Sequence, residues 1–263
     1  MSTIDPIPTD AGTDPRGLQA EGVEIRTLHT AAEMRGVVEI FQQVWGSPNV
    51  MVPIEMLMAI AHAGGYVAGA FDTDHDGAHE RLLGASVALL ADHLGRPALH
   101  SHITGVLAGA QKSGLGRTMK LHQQRWAREH RIEWIVWTFD PLVRRNAWFN
   151  IAGLGAQVHE YLPSFYGPMT DAMNHGDETD RLLVAWDVAT DPDAALRDGT
   201  GVTGSHLIPT PDDVLTLRRT DGAEAARWRR VVREQFTEHL AAGRRVVGFT
   251  RDGSYVLVDG AAS

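Results

Sequence analysis

The chain has 263 residues, no cysteine, and a formal net charge of −9 from 24 Lys and Arg against 33 Asp and Glu. Without cysteine it can build no disulfide, thiolate nucleophile or cysteine-ligated zinc site, and its acidic balance argues against a nucleic-acid backbone as partner, since that affinity comes mostly from Lys and Arg neutralising phosphates. A hydrophobic share of 43% with 22% charged residues is that of a globular protein with a sizeable core.

No stretch approaches the roughly 20 uninterrupted apolar residues of a bilayer crossing, and MSTIDPIPTDAGTDPRG lacks the basic start and apolar run of a signal peptide, so no membrane contact and a cytoplasmic location are expected. Residues 1–20, rich in Pro, Asp, Thr and Gly, read as a disordered tail. The chain then alternates: a strand at Val23–Leu28, helices at Ala31–Val44 and Ile54–His62, and strands at Tyr66–Phe71 and Leu82–Leu90 joined by the turn chemistry of DTDHDGAHER. Leu99–Leu107 reads as a further strand. A glycine turn follows it, and then a helix from Leu115 to His130 whose Leu115, Met119 and Trp126 share one face.

IEWIVWTF (132–139) is a nearly continuous apolar strand, suited to a sheet covered on both faces. A helix is expected over Val143–Ala152, ended by Gly153 and Gly155, and a last strand over Leu182–Val188. The loop-like stretch 189–205 suggests a boundary, giving a main domain at 21–190 and a C-terminal extension at 191–263. Within the extension, Thr210-Pro211-Asp212-Asp213 reads as a helix start with Pro at its first position, Asp221 with Glu224 as a capping box, and Arg245–Thr250 with Tyr255–Val258 as a hairpin. RWRRVVRE (227–234) reads as a charged helix face rather than a nucleic-acid contact, though its cations could meet a substrate carboxylate.

The most informative segment is HSHITGVLAGAQKSGLGRTMKL, which sets Gln111, Gly114 and Gly116 in the order Q-x-x-G-x-G between a strand and an amphipathic helix. Glycine permits positive φ and close backbone approach, so successive N–H groups can turn inward around an anion while the helix start adds partial positive charge. Lys112 and Arg117 can add charge-assisted bonds to a pyrophosphate. Two glycines at such a junction can also make nothing more than a tight turn. The segment is not a P-loop, which needs Lys and Ser/Thr directly after its last Gly, and it lacks the third Gly of a dinucleotide fingerprint.

With this motif, the order of elements, the buried fifth strand and Asn146 ahead of Leu154-Gly155, the sequence resembles the GNAT superfamily of acyl-CoA-dependent N-acetyltransferases from about Val23 to Val188. The resemblance implies an α/β (α+β) fold with a mixed, mostly antiparallel central sheet of six to seven strands, flanking helices, splayed fourth and fifth strands, and a small C-terminal α/β extension. It implies that the pyrophosphate of acetyl-CoA or another acyl-CoA lies on the backbone of Gln111, Lys112, Ser113, Gly114, Leu115, Gly116 and Arg117. Pantetheine would pair with the edge of the fourth strand, a backbone amide at Thr104 or Val106 would polarise the thioester carbonyl, and Asn146 would bond pantetheine or its sulfur. As a bland alternative, Asn146 only caps its helix.

The attacking amine must be neutral, so a proton acceptor is needed. Strand alternation places His100, His102, Thr104 and Val106 on one face, and an imidazole titrates near neutrality. His100 and His102 are therefore the candidate bases. The bland alternative is that both are structural histidines; a metal reading of His-x-His lacks a third ligand, and no metal is expected. Many family members carry a Tyr four residues before the Gly that ends the helix after the fifth strand, to protonate the leaving thiolate; Ile151 stands there, leaving Tyr161, Tyr166 or water, with Tyr166 of PSFYG preferred. Asp72, Asp74, Asp76 and Gly77 imitate the start of a calcium loop, but the twelfth position is Leu83.

Resemblance to GNAT proteins with SHITGV-like, WTFDPL-like and FYG-like segments implies N-acylation of a small amine, an amino acid above all, with succinyl-CoA as a further donor. The extension would close over the acceptor site or contribute to a homodimer. A protein or peptide N-acetyltransferase and a non-catalytic acyl-CoA sensor are the alternatives.

Overall fold

The computed structural model describes residues 22–46, 51–72, 80–167, 177–191, 197–199 and 201–260. The expected tail and Asp74, Asp76 and Gly77 of the calcium-like stretch lie outside them. The elements run β1 (Val23–Thr27), α1 (Ala31–Trp45), α2 (Ile54–His62), β2 (Tyr66–Asp72), β3 (Arg81–His93), β4 (Arg96–Val106), a 3-10 turn (Ala108–Ser113), α3 (Leu115–Glu129), β5 (Trp134–Phe139), α4 (Arg144–Ala147), a π-helical turn (Trp148–Gly153), β6 (Gln157–Leu162), β7 (Arg181–Asp187), β8 (His206–Pro209), α5 (Val214–Thr220), α6 (Gly222–Ala241), β9 (Arg245–Phe249) and β10 (Ser254–Val258). The strand order β1-β2-β3-β4-β5-β7-β6 makes a mixed, mostly antiparallel seven-stranded sheet, and β8-β10-β9 a second sheet. Among the described residues no helix is long and apolar enough to cross a membrane.

The chain divides into two compact units, 1–137 with 187–189 and 138–186 with 190–263. In the first unit β1 to β4 form an antiparallel meander and β5 joins β4 in parallel. Helix α1 starts where Thr30 and Glu33 cap each other reciprocally, stops at a left-handed Gly46, and buries Met34, Val37, Phe41 and Trp45 along one stripe. A side chain at Gly105 of β4 would approach Trp45 and Phe41 to 2.9 and 3.3 Å, so α1 covers that face of the strand closely. Helix α3 covers the other face with Leu115 and Met119, which pack with Val106 and Ala70.

In the second unit β6 pairs antiparallel with β7, and β8, β10 and β9 form the small sheet. The strands at 157–162 and 206–209 are too short, and the first too polar, for the sequence pattern to single out. The helix expected over Val143–Ala152 is four residues of α-helix followed by a π-helical turn with bonds such as Leu154 N–H to Phe149 O. Helix α5 begins after Asp213, whose carboxylate accepts from the Leu215 and Thr216 amides, so Pro211 lies outside it. Asp221 accepts from the Glu224 amide as the N-cap of α6.

The core of this unit combines Phe236, Tyr255, Phe249 and Val232 with a buried ion array. Arg229 of α6 holds Asp140 through both carboxylate oxygens at 2.7 and 2.9 Å and reaches Asp177 at 2.8 Å; Arg218 of α5 contacts Asp140 at 2.5 Å and Asp177 at 2.9 Å. Burial by itself would raise the Asp140 pKa, but the adjacent Arg229 and Arg218 reverse this and hold it well below the usual carboxylate range. The basic run 227–234 is therefore not simply a solvated face: its Arg229 is 1% exposed and points into the core.

Removing one member strands the rest. Arg229→Met should cost about 3–5 kcal/mol by urea unfolding, whereas Arg227→Ala, breaking an exposed pair with Glu224, should leave the unfolding midpoint nearly unchanged.

Candidate functional site

The first unit builds its candidate site where β4 leaves the sheet. Parallel pairing with β5 covers Ala98 to Trp134, Leu99 to Ile135 and His100 to Val136, and β4 then continues to Val106 without further β5 partners. The fourth and fifth strands part at His100, as the resemblance implied. On its other side β4 stays paired with β3, but the register steps between Val87 and Ala88: Val87 faces Ile103 and Ala88 faces Ser101. His102 is the extra residue of a β-bulge, which leaves a residue unpaired in the ladder and shifts the alternation of side chains beyond it.

That shift corrects the expected single face. Lys120 Nζ donates to Ser101 Oγ at 2.8 Å, Gln123 Nε2 donates to Ser86 Oγ at 3.5 Å, and Ser86 Oγ lies 2.8 Å from Thr104 Oγ1. Ser101 and Thr104 thus both serve the α3 side, and Val106 packs there too. His100 and His102 stay together, their rings 6.3 Å apart. Burial is the main cause that pushes the His102 imidazole down to about 4 and lowers that of His100, so both are neutral at pH 7.

After β4 the 3-10 turn carries the chain to Gly114, left-handed at φ 75°, and α3 begins. Its first internal bonds run from the Arg117 and Thr118 amides to Gly114 O, so the Leu115 and Gly116 amides precede the helical ladder, as in any helix start. Gln111 Nε2 donates to Val106 O at 3.1 Å and ties the turn to the end of β4. A Cβ at Gly116 would meet nothing within 4 Å. Arg117 is buried, and the side chains of Lys112 and Ser113 lie outside the described residues.

Pattern reading missed the polar chain beneath β4. Lys120 is 1% exposed, bonded to Ser101 Oγ and to Gln123 Oε1 at 3.2 Å, with its Nζ 4.1 Å from the Trp137 ring centre. The signal was present: Gln123 continues the 115, 119 spacing of the apolar face. Burial pushes the Lys120 ammonium down to about 7.

The second unit holds the other expected residues. Asn146 is buried at α4. Tyr166 Oη lies 3.4 Å from Thr138 Oγ1, and the Arg181 guanidinium stands 5.2 Å from its ring centre. The Tyr166 amide donates to Thr179 Oγ1 at 3.0 Å, which fixes the turn. Tyr161 is unsuited to proton donation: its hydroxyl donates to Asp180 at 2.5 Å, and burial with that carboxylate raises its pKa further.

The depressed Lys120 sets a pH test. The unfolded chain binds this proton up to about pH 10.5 and the folded chain only to about 7, so stability should rise by about 2 kcal/mol from pH 7 to 9. Urea unfolding at both pH values should show this gain in the native protein and lose it in Lys120→Met.

No protein-family model and no curated protein sequence matches the chain. Solved structures similar to it include the ribosomal-protein-S18-alanine N-acetyltransferase from Escherichia coli, at TM-score 0.49 and 14% identity over 65% of this chain and 97% of that one. The ribosomal-protein-S5-alanine acetyltransferase from Vibrio fischeri has TM-score 0.49 and 11% identity over 66% and 97%. Ard1 from Thermoplasma volcanium has TM-score 0.47 and 12% identity over 64% and 99%. The mixed, mostly antiparallel sheet of seven strands, the parting of β4 from β5 and the glycine turn that carries β4 into α3 agree with what the resemblance to the GNAT superfamily implied.

Proposed function

We propose that the protein is an acyl-CoA-dependent N-acyltransferase that moves an acetyl or succinyl group onto the amine of a small molecule, an amino acid in the first instance. The observation that carries this reading is Gly116. Gly116 sits in the first turn of α3, and nothing in the protein lies where its Cβ would sit. The empty space suits a ligand that must approach the backbone closely, and the helix start beside it suits a pyrophosphate.

The donor supplies a thioester carbonyl for the amine to attack. In this reading the free edge of β4 beyond His100 receives the pantetheine chain, and Gln111 to Arg117 hold the phosphates. The backbone amide that polarises the carbonyl belongs to the stretch from the His102 bulge to Thr104 and Val106. His100 or His102, neutral and with an acceptor nitrogen, takes the amine proton directly or through water, and Tyr166 returns one to the departing sulfur. Asn146 bonds the pantetheine arm.

A panel of D- and L-amino acids, polyamines and basic peptides, assayed by thiol release from acetyl-CoA and succinyl-CoA, tests the reading. Turnover with one acceptor class supports it. Turnover only with peptides would select a peptide N-acetyltransferase, and acyl-CoA binding without turnover a sensor. Gly116→Leu should weaken calorimetric acetyl-CoA binding at least about tenfold while leaving the circular dichroism spectrum unchanged; retained affinity would sink the cradle. For the base, His102→Ala should abolish a limb in the pH–rate profile near pH 4, and an acid limb left unchanged in both His100→Ala and His102→Ala would count against the pair.

A further inference from the structure

The second unit buries three arginines, Arg181, Arg218 and Arg229. Arg218 and Arg229 are matched by Asp140 and Asp177 at 2.5–2.9 Å. Asp180 is satisfied by Arg233 at 2.6 Å, by the Tyr161 hydroxyl at 2.5 Å and by the Ser164 amide at 2.8 Å. Arg181 is left over. Its Nη1 donates to the backbone oxygen of Asp180 at 2.8 Å, and the nearest carboxylate oxygen, on Asp140, is 3.9 Å away and already bonded. Among the described residues its Nε and Nη2 have no hydrogen-bond partner, although the residue is only 4% exposed.

The long contact with Asp140 leaves most of the fork without a hydrogen-bonded anion, and a planar guanidinium matches a carboxylate through two parallel bonds. The Tyr166 ring centre lies 5.2 Å from the guanidinium, and the Tyr166 hydroxyl lies 3.4 Å from Thr138 Oγ1. With Glu178 as well as Asp180 on Arg233, four carboxylates meet four arginines, and what Arg181 adds is a directional fork of unused N–H groups, which suits a planar carboxylate. Burial pushes the Arg181 pKa down, a cost that an incoming anion would offset.

We infer that Arg181, with the Thr138 hydroxyl, forms a carboxylate subsite that binds the acid group of an α-amino acid acceptor. The inference rests on the N-acyltransferase reading above and adds to it the group that selects the acceptor. It makes Arg181 a specificity determinant: it binds the carboxylate and takes no part in proton transfer.

The test compares phenylalanine and methionine, each as the free acid and as the carboxamide, by thiol release from acetyl-CoA in the full chain. The free acid should exceed its amide at least about tenfold in kcat/KM. Arg181→Lys should raise KM for the acid by a similar factor while leaving the amide unaffected, and Thr138→Val should raise it several-fold. Calorimetric titration of N-acetylmethionine and its amide, with coenzyme A present, reads the same preference without turnover; the acid–amide comparison in the native protein needs no variant to fold. Equal or better use of the amide, or unchanged acid kinetics in Arg181→Lys, overturns the subsite and leaves the acyltransferase standing. Absence of thiol release from every acceptor, with acetyl-CoA bound, overturns both.

Discussion

The parallel contact between β4 and β5 lasts three residue pairs, and the candidate chemistry of the first unit depends on its stopping at His100. A fully paired strand has no backbone groups to offer, whereas the six residues from Ser101 to Val106 keep β3 on one edge and leave the β5 edge without strand partners. A bulge at His102 sits within that stretch. It detaches one residue from the ladder and turns the downstream side chains over, so Thr104 faces α3 and not the histidines. A strand that must be both a wall of the core and a platform for a ligand can do so by changing parity midway.

A polar chain ties this strand end to α3. Lys120, Gln123, Ser86, Ser101 and Thr104 bond one another in a layer from which water is excluded. Such networks impose a specific geometry because each donor left unmatched is costly. Lys120 does this without a carboxylate, using a hydroxyl, an amide and the Trp137 ring. The same helix that begins at the glycine turn holds the bulged strand through Lys120 and Gln123.

The second unit solves a different problem with the opposite means. Its array of aspartates and arginines joins Asp140 after β5, the segment 177–180, α5 and α6, and desolvation offsets much of its Coulomb attraction. What the array leaves unmatched is informative. Arg181 takes a backbone oxygen where its neighbours take carboxylates.

Much of the architecture could be read from local pattern. The 3.6-residue stripe of α1, the apolar run of β5, the glycine turn and the amphipathic α3 each report their own environment, because burial on one face dictates residue type at fixed intervals. Short β6 and β8 carry no such imprint, and the π-helical turn after Ala147 looks helical to any periodic test. Gln111, Gly114 and Gly116 were legible as a group since their chemistry is local to one turn. The pairing of His100 with His102 was legible too, but the face of Thr104 was not: strict alternation holds only while the ladder is regular, and whether an extra residue is inserted is decided by the partner strand. Likewise Lys120, Arg181 and Arg229 are surface residues by type. Only tertiary packing, which brings hydroxyls and carboxylates from distant segments to them, decided that they lie inside.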